Sequence, residues 1–335
     1  MKSGHSGPST SHAEALSHLR LACEVARIRA DEVVLPADAD IVVDGLRLHY
    51  LDWGTQGRSP LLFLHGGRLT AHTFDLVCLA LRKDFHCLAL DQRGHGDSDW
   101  SPTLDYGPDA NARDIAAWIE QLGVKAPVLI GHSLGGLNAM TYAADAAESL
   151  AGIVLVDVGP GVQAAGTQRM ISHAIDDPGP GPFEDFVARA VEFNPRRDPR
   201  LLRRSLLHNL RQLPDGRFAW KHDPGRATPE YYASIKASVE RLRERVAEVT
   251  CPVFVVRGAE SDVYGDSDAA RFAEVLPDGR WARVESAGHN IQGDNPRGLV
   301  SVLIEFLAEV ARRPGGPWGS GGLTGRNADA MEGPR

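Results

Sequence analysis

The sequence predicts an α/β fold, with a mostly parallel sheet covered by helices on both faces and interrupted once by a helical insertion. Three observations carry this reading. Short apolar runs of strand length alternate with segments of helical period, the pattern of strands buried on both faces. A single long stretch, residues 160–249, breaks the alternation. And "GHSLGG", residues 131–136, sets a serine between glycines where an apolar run meets a helical segment.

Taken in order, residues 1–11 are rich in Gly, Ser and His and are expected to be disordered. Residues 12–35 carry Leu16, Leu19, Ala22, Val25 and Ile28 at helical intervals and stop before Pro36. They predict an added amphipathic helix that packs on the domain surface, with a homodimer contact as the alternative. The core of the fold then occupies 36–159 and resumes over 250–312. It opens with a hairpin, Asp40 to Gly54, turning at Asp44-Gly45. The strand-length runs are "LLFLHG", "HCLALD", "VLIGHS", "GIVLVDV", "VFVVRG" and "ARVESA". Helical segments are predicted over 71–82, 108–122, 134–147, 267–276 and 295–312. The insertion 160–249 contains "GPFEDFVARAVEF", an Arg-rich segment 194–211 and "TPEYYASIKASVERLRERVAEV". Its length marks a helical cap subdomain on the carboxyl edge of the sheet rather than a loop. The Arg-rich segment reads as a solvated helix face, and Phe183, Phe186, Val187 and Phe193 as a packing stripe. Residues 313–335, rich in Gly and Pro, are expected to be disordered.

Bulk properties exclude several classes of function. A formal net charge of -8 does not suit phosphate neutralisation, so no nucleic-acid partner is expected. No apolar run approaches the roughly 20 residues a membrane-spanning helix needs. The N-terminal residues hold no apolar signal region, so a cytoplasmic location and no membrane partner are expected. Cys23, Cys78, Cys87 and Cys251 have neither paired spacing nor a C-x-x-C, which points to buried thiols. No G-x-G-x-x-G or phosphate loop occurs, so no cofactor is implied.

The chemistry centres on Ser133. A strand ending at His132 and a helix starting at Leu134 would hold this serine in a strained corner, lifting its hydroxyl clear of the sheet. Gly131 and Gly135 lack the Cβ atoms that would keep helix and strand apart. A serine hydroxyl needs a base, and His289, in "SAGHNIQGDNP", is the only one of thirteen histidines after His222. The base in turn needs a carboxylate. Asp262 in "RGAESD" is the first choice, with Glu260 beside it as an alternative. Asp157, at the tip of "IVLVDV", could also reach His289, although a turn or cap role is the simpler account of it. Developing negative charge would be met by the backbone N–H groups of Leu134 and Gly67. His65 is expected to be structural. His132, Trp220 and His222 are candidate substrate contacts, the last two from "RFAWKHDPG" in the insertion.

"HGG" at 65–67, "DQRGHGDS" at 91–98, "GHSLGG" at 131–136, "RGAESD" at 257–262 and "AGH" at 287–289 resemble the landmarks of the α/β-hydrolase family, in its chain order. The resemblance covers roughly residues 40–312. It implies an α/β-hydrolase fold and a serine hydrolase acting on a small-molecule ester through an acyl-enzyme. The serine at the elbow, in place of an aspartate, speaks against epoxide hydrolase and haloalkane dehalogenase chemistry. Lactone, carbon–carbon bond and perhydrolase chemistry stay open, as does a ligand-binding protein without turnover. The "RGHGDS" loop would be a structural turn, and Asp91, His95, Asp97 and Asp99 lack the second histidine cluster of a metal centre. The acid turn "GAESD" is one residue longer than in many relatives, which leaves Glu260 and Asp262 both open.

Overall fold

The strands are β1 (Ala37–Val43), β2 (Leu46–Asp52), β3 (Ser59–Leu64), β4 (Phe85–Leu90), β5 (Val128–His132), β6 (Gly152–Val156), β7 (Leu210–Gln212), β8 (Phe218–Trp220), β9 (Val253–Gly258) and β10 (Gly279–Val284). In the computed structural model, which describes residues 11–160, 179–226, 228–313 and 318, eight of them form one sheet in the order β1-β2-β4-β3-β5-β6-β9-β10. The pairs β1–β2 and β2–β4 are antiparallel and the rest are parallel. The β1–β2 hairpin turns at Asp44 and Gly45, both with positive φ (50° and 81°), as a tight Asp-Gly turn requires. The chain leaves β3 for β4 on one side and returns to β5 on the other. The loops after β3 and β5 therefore diverge at a topological switch point, where a crevice opens at the carboxyl edge.

The helices are α1 (His12–Ala26), α2 (Asp75–Leu81), α3 (Pro108–Leu122), α4 (Leu134–Ala146), α5 (Phe183–Phe193), α6 (Pro199–Asn209), α7 (Pro229–Arg245), α8 (Asp266–Val275), α9 (Ile291–Asp294) and α10 (Pro296–Arg312). Strand side chains alternate between two apolar layers. Leu61, Phe63, Ile130, Val154 and Val256 pack with α1, α2 and α10 on one face. Leu62, Leu64, Leu129, Ile153 and Val255 pack with α3, α4 and α8 on the other. Both faces being covered explains why the central strands read as unbroken apolar runs. The edge strand β10 is half-exposed, and it lies at 279–284, three residues before the run "ARVESA" suggested. An edge strand presents one side to water, so its apolar residues alternate and the run misplaces it.

The N-terminal helix is shorter than its apolar spacing implied. It starts at a capping box, in which Ser11 Oγ accepts from Glu14 N at 3.3 Å and Ser11 N donates to Glu14 Oε2 at 2.8 Å. It stops at Ala26, closed by Arg27 in the left-handed region (φ 53°). Ile28, Val33, Val34 and Leu35 still pack on the same apolar layer, from irregular backbone. Leu19, Ala22 and Cys23 are buried in that layer together with Leu201 of α6. At the other end Trp318 departs from the disorder expected for the tail. Its Nε1 donates to Ala126 O at 2.9 Å and its ring lies 6.0 Å from Phe85. The expectations for 1–10, 161–178 and the remainder of the tail fall outside the described residues. All four cysteines are buried and unbridged. No helix among the described residues is long and apolar enough to cross a membrane.

The described part of the insertion is less helical and less solvated than expected. Between α6 and α7 it folds a short antiparallel ribbon, β7–β8, over which Phe183, Phe186, Val187, Leu206 and Trp220 form a small core. Arg200 and Arg203 do face solvent, paired with Asp198 and Glu184. Arg204 instead reaches inward to Asp75 at the start of α2, 2.5 Å away, where Asp75 is buried and Arg204 partly so. Burial alone would raise the Asp75 carboxyl, but His72 and Arg204 outweigh it and hold it below the usual range. A pair of this kind, largely shielded from water, ties α6 to the start of α2, since either charge left alone would be costly.

A second buried charge cluster sets a pH limit on the fold. His49 Nδ1 bonds Asp91 Oδ2 at 2.9 Å and His49 Nε2 bonds Asp38 Oδ1 at 3.0 Å. Burial would depress this imidazole, yet the two carboxylates hold it up to about 10. Its folded value lies above the unfolded value of roughly 6.5. The resulting stabilisation is therefore complete below that unfolded value and is lost as pH rises through the folded one. The urea midpoint of the wild type should fall between neutral pH and about pH 10. His49→Gln should be less stable at neutral pH and nearly flat over the same range; an equal slope in both proteins would contradict the assignment.

Candidate active site

Ser133 sits where β5 becomes α4, with φ 50° and ψ -116°, a conformation strained for any residue with a side chain. The corner is held by backbone: Ser133 N donates to Val156 O at 3.0 Å, and Gly136 N and Leu137 N donate to Ser133 O at 3.0 and 3.1 Å. Its tightness explains the flanking glycines. A Cβ on Gly131 would stand 2.5 Å from Gly135 O, and one on Gly135 would stand 2.2 Å from Leu64 O. As first residue of α4, Leu134 presents an N–H with no acceptor inside the helix.

The turn after β3 is fixed from two sides. Gln92, following β4, donates from Nε2 to His65 O at 2.6 Å and from its backbone N to His65 Nε2 at 3.0 Å. Asn138 of α4 donates to Gln92 Oε1 at 2.7 Å, tying this turn to the helix that carries Ser133. His65 uses Nδ1–H on Gly66 O at 2.7 Å, and burial pushes it down to about 4, so it is a neutral structural group. Gly67 is exposed at the crevice; a Cβ there would lie 3.9 Å from Leu134 Cδ2, so the turn stands over the start of α4.

His289 follows β10 in a loop anchored at three points. Glu260 N donates to Ala287 O at 2.9 Å, Gly288 N donates to Asp294 Oδ2 at 3.0 Å, and His132 Nε2 donates to His289 O at 2.9 Å. The imidazole Nδ1 donates to Asp157 Oδ2 at 2.7 Å. Asp157 is fully buried just beyond β6, with φ 53°. Its Oδ1 accepts from Gly258 N at 2.9 Å and its Oδ2 also accepts from Ser261 Oγ at 2.5 Å.

This geometry corrects the first choice of acid. Asp262 is exposed and is not the carboxylate on His289, and Glu260 is exposed and paired with Arg196 at 3.2 Å. The turn after β9 sends the Ser261 hydroxyl inward onto Asp157 and leaves its acidic side chains outside. The extra residue in "GAESD" was the signal available in the sequence, because it marks the turn where the family spacing does not hold.

The three candidate substrate contacts are also corrected. A cavity of about 280 Å³ is lined by Ser133, Leu134 and His289, and none of His132, Trp220 or His222 borders it. His132 is buried and held well below its ordinary range by burial and by His289, so it is a neutral imidazole bracing the His289 loop. Trp220 packs edge-on against Phe186 at 5.3 Å, beneath the Arg68 guanidinium. His222 Nε2 accepts from Arg68 Nε at 3.1 Å. The cavity walls come instead from Leu137 and Met140 of α4, Phe272 of α8, and Tyr231, Tyr232, Ile235, Val239 and Leu242 of α7. The spacing of Ile235, Val239 and Leu242 is a helical stripe that could have identified this wall. The "RGHGDS" loop is a braced turn: Asp91 accepts from Ala71 N and Asp97 N at 2.7 and 2.9 Å, and Arg93 grips Asp114 through two nitrogens.

A family model described as the alpha/beta hydrolase family matches residues 61–302. The chain is 32% identical to the esterase Rv0045c of Mycobacterium tuberculosis over 268 residues, which is 77% of this chain and 85% of the relative. A crystal structure of that esterase superposes with a TM-score of 0.71 at 29% identity, covering 90% of this chain and 99% of the other. The N-formylmaleamate deformylase of Pseudomonas putida is 30% identical over 276 residues, 81% of this chain and 96% of that enzyme. The match of fold, chain order and length places the protein among hydrolytic enzymes: it belongs to the alpha/beta hydrolase family.

Proposed function

We propose that the protein is a serine hydrolase that cleaves carboxylic esters of small to medium apolar substrates through an acyl-enzyme on Ser133. The observation that carries this reading is the shared cavity wall of Ser133 and His289, with His289 Nδ1 bonded to buried Asp157 at 2.7 Å. With Nδ1–H committed to Asp157, Nε2 is the nitrogen left to accept the Ser133 proton. Ser133 Oγ attacks the ester carbonyl, and His289 then protonates the departing alkoxide. Water repeats the sequence to release the acid. Asp157 holds the imidazole in one tautomer and stabilises it when it becomes charged. The N–H groups of Leu134 and Gly67 would receive the oxyanion; losing one such donor costs on the order of 3 kcal/mol in the barrier.

The cavity supports an apolar acyl or alcohol group. Leu137, Met140, Ile235, Val239, Leu242 and Phe272 offer a surface with few polar atoms, and about 280 Å³ suits a chain of modest length. The name of the mycobacterial relative, an esterase, supports ester over amide as the bond cleaved.

Two outcomes are expected. A fluorophosphonate probe should label the wild type and not Ser133→Ala, and wild type alone should hydrolyse p-nitrophenyl butanoate. Labelling that persists in Ser133→Ala, or ester turnover by that variant, would contradict the reading. Asp157→Asn should lower kcat by on the order of 10³–10⁴, because the imidazole loses its tautomer lock. Asp262→Asn should stay within about twofold, as expected of an exposed side chain when Asp157 holds the imidazole Nδ1; the reverse pattern would restore Asp262 as the acid.

A further inference from the structure

The cavity at Ser133 has a direction. Two of the helices that wall it, α4 and α7, run side by side in the same sense: Thr141 Oγ1 lies 3.4 Å from Ser238 Oγ, and further along both helices Arg245 Nη2 donates to Ala144 O at 2.8 Å. Since α4 starts where β5 ends, both descend from the carboxyl edge of the sheet, where Ser133 and His289 stand. Burial increases along this path. Tyr232 is exposed and Ile235 and Val239 are half-buried, whereas Met140, Leu242 and Phe272 are only 4%, 8% and 6% exposed. The cavity is therefore open beside the serine and closed at the level of those three side chains.

Two helices give the same depth for that floor. Met140 is seven residues past Ser133 on α4, and Phe272 is six residues past the start of α8 at Asp266, which follows the turn after β9. At the helical rise these separations come to about 9–10 Å. Leu242, one turn beyond Ser238, closes the same end from α7, because a helical side chain leans back towards the start of its helix. Among the described residues that line the cavity, the polar side chains are Ser133, Asp157, His289, Tyr231 and Tyr232. All five belong to the sheet edge or to the first turn of α7, and the floor has none. A polar atom carried down to it would lose its water without gaining a partner, so what reaches the floor must be apolar.

Resting on the serine-hydrolase reading, we infer that this channel takes one linear apolar chain of about eight carbons, on the acyl or the alcohol side of the ester, and that Leu242 gauges its length. The length follows from the depth, since an extended chain advances about 1.2 Å per bond. A shorter chain leaves apolar wall uncovered, and a longer one must fold back or push Leu242 aside.

The test measures kcat/KM on two series, p-nitrophenyl esters from acetate to dodecanoate and acetate esters of alcohols from ethanol to dodecanol. In one of the two series it should rise about two- to fourfold for each added methylene, up to about eight carbons, and no further. The series that rises identifies the side of the ester that carries the chain. Values highest at the shortest chain in both series, or a rise that continues to the dodecyl chain, overturn the inference whatever the folding of any variant. Leu242→Ala should move the best chain about two carbons longer, and Leu242→Phe about two carbons shorter. Lost stability alone does not shift a length preference in opposite directions, so a best length unmoved in both variants overturns the role of Leu242. Fluorophosphonate labelling in the same preparation separates the two levels. Labelled protein that cleaves esters without a length preference loses only the channel, whereas unlabelled protein that cleaves neither series loses the serine-hydrolase reading and this inference with it.

Discussion

The buried carboxylate of Asp157 is the contact on which the rest of the site depends. It has no exposure to water and must be satisfied from inside, and it collects three donors from two separate segments: Gly258 and Ser261 from the end of β9 and the turn after it, and His289 from the loop after β10. Each of those segments is thereby drawn to the end of β6. Leaving such a group unpaired would cost several kcal/mol, so the same requirement that stabilises the carboxylate also positions the imidazole. The positive φ of Asp157, at 53°, is local strain spent on aiming that side chain across the sheet edge.

The remaining parts follow from strand order. Because β4 and β5 flank β3 on opposite sides, the turns after β3 and β5 separate and open a crevice above their ends. Glycines let those turns approach: Gly131 and Gly135 at the serine corner, and Gly66, where a Cβ would meet His132 Nδ1 at 2.5 Å. His132 then links the serine strand to the His289 loop through one hydrogen bond, and the Gln92–Asn138 pair links the Gly67 turn to α4. The Arg204–Asp75 pair ties α6 to α2, and α7 supplies one wall of the cavity. Scaffold, turn geometry and cavity are thus coupled through a small number of buried polar contacts.

Much of this was legible in the sequence, for local reasons. The helix predicted over 108–122 is α3, starting at Pro108 and ending before Gly123, because proline and glycine punctuate it in the order helices favour. Ser133 and His289 could be found because glycine spacing and chain order belong to the primary structure. The identity of the acid was not legible. It depends on which side chain of the β9 turn points inward, and three-dimensional packing chose the Ser261 hydroxyl over either acidic neighbour. The cavity wall was missed for a similar reason: the sequence shows that α7 has an apolar stripe, but packing against α4 decides that this stripe faces Ser133. Trp220 and His222 drew attention through unusual composition and turned out to be packing and pairing groups beside Arg68.

The contact between Asp157 and His289 can be measured without any substrate. Proton NMR of protein with ¹⁵N-labelled histidine should show a strongly deshielded Nδ1–H resonance that disappears in His289→Gln. That resonance should also be lost in Asp157→Ala and survive in Asp262→Ala. A resonance that persists after removal of the Asp157 carboxylate would mean that the imidazole is held by something else.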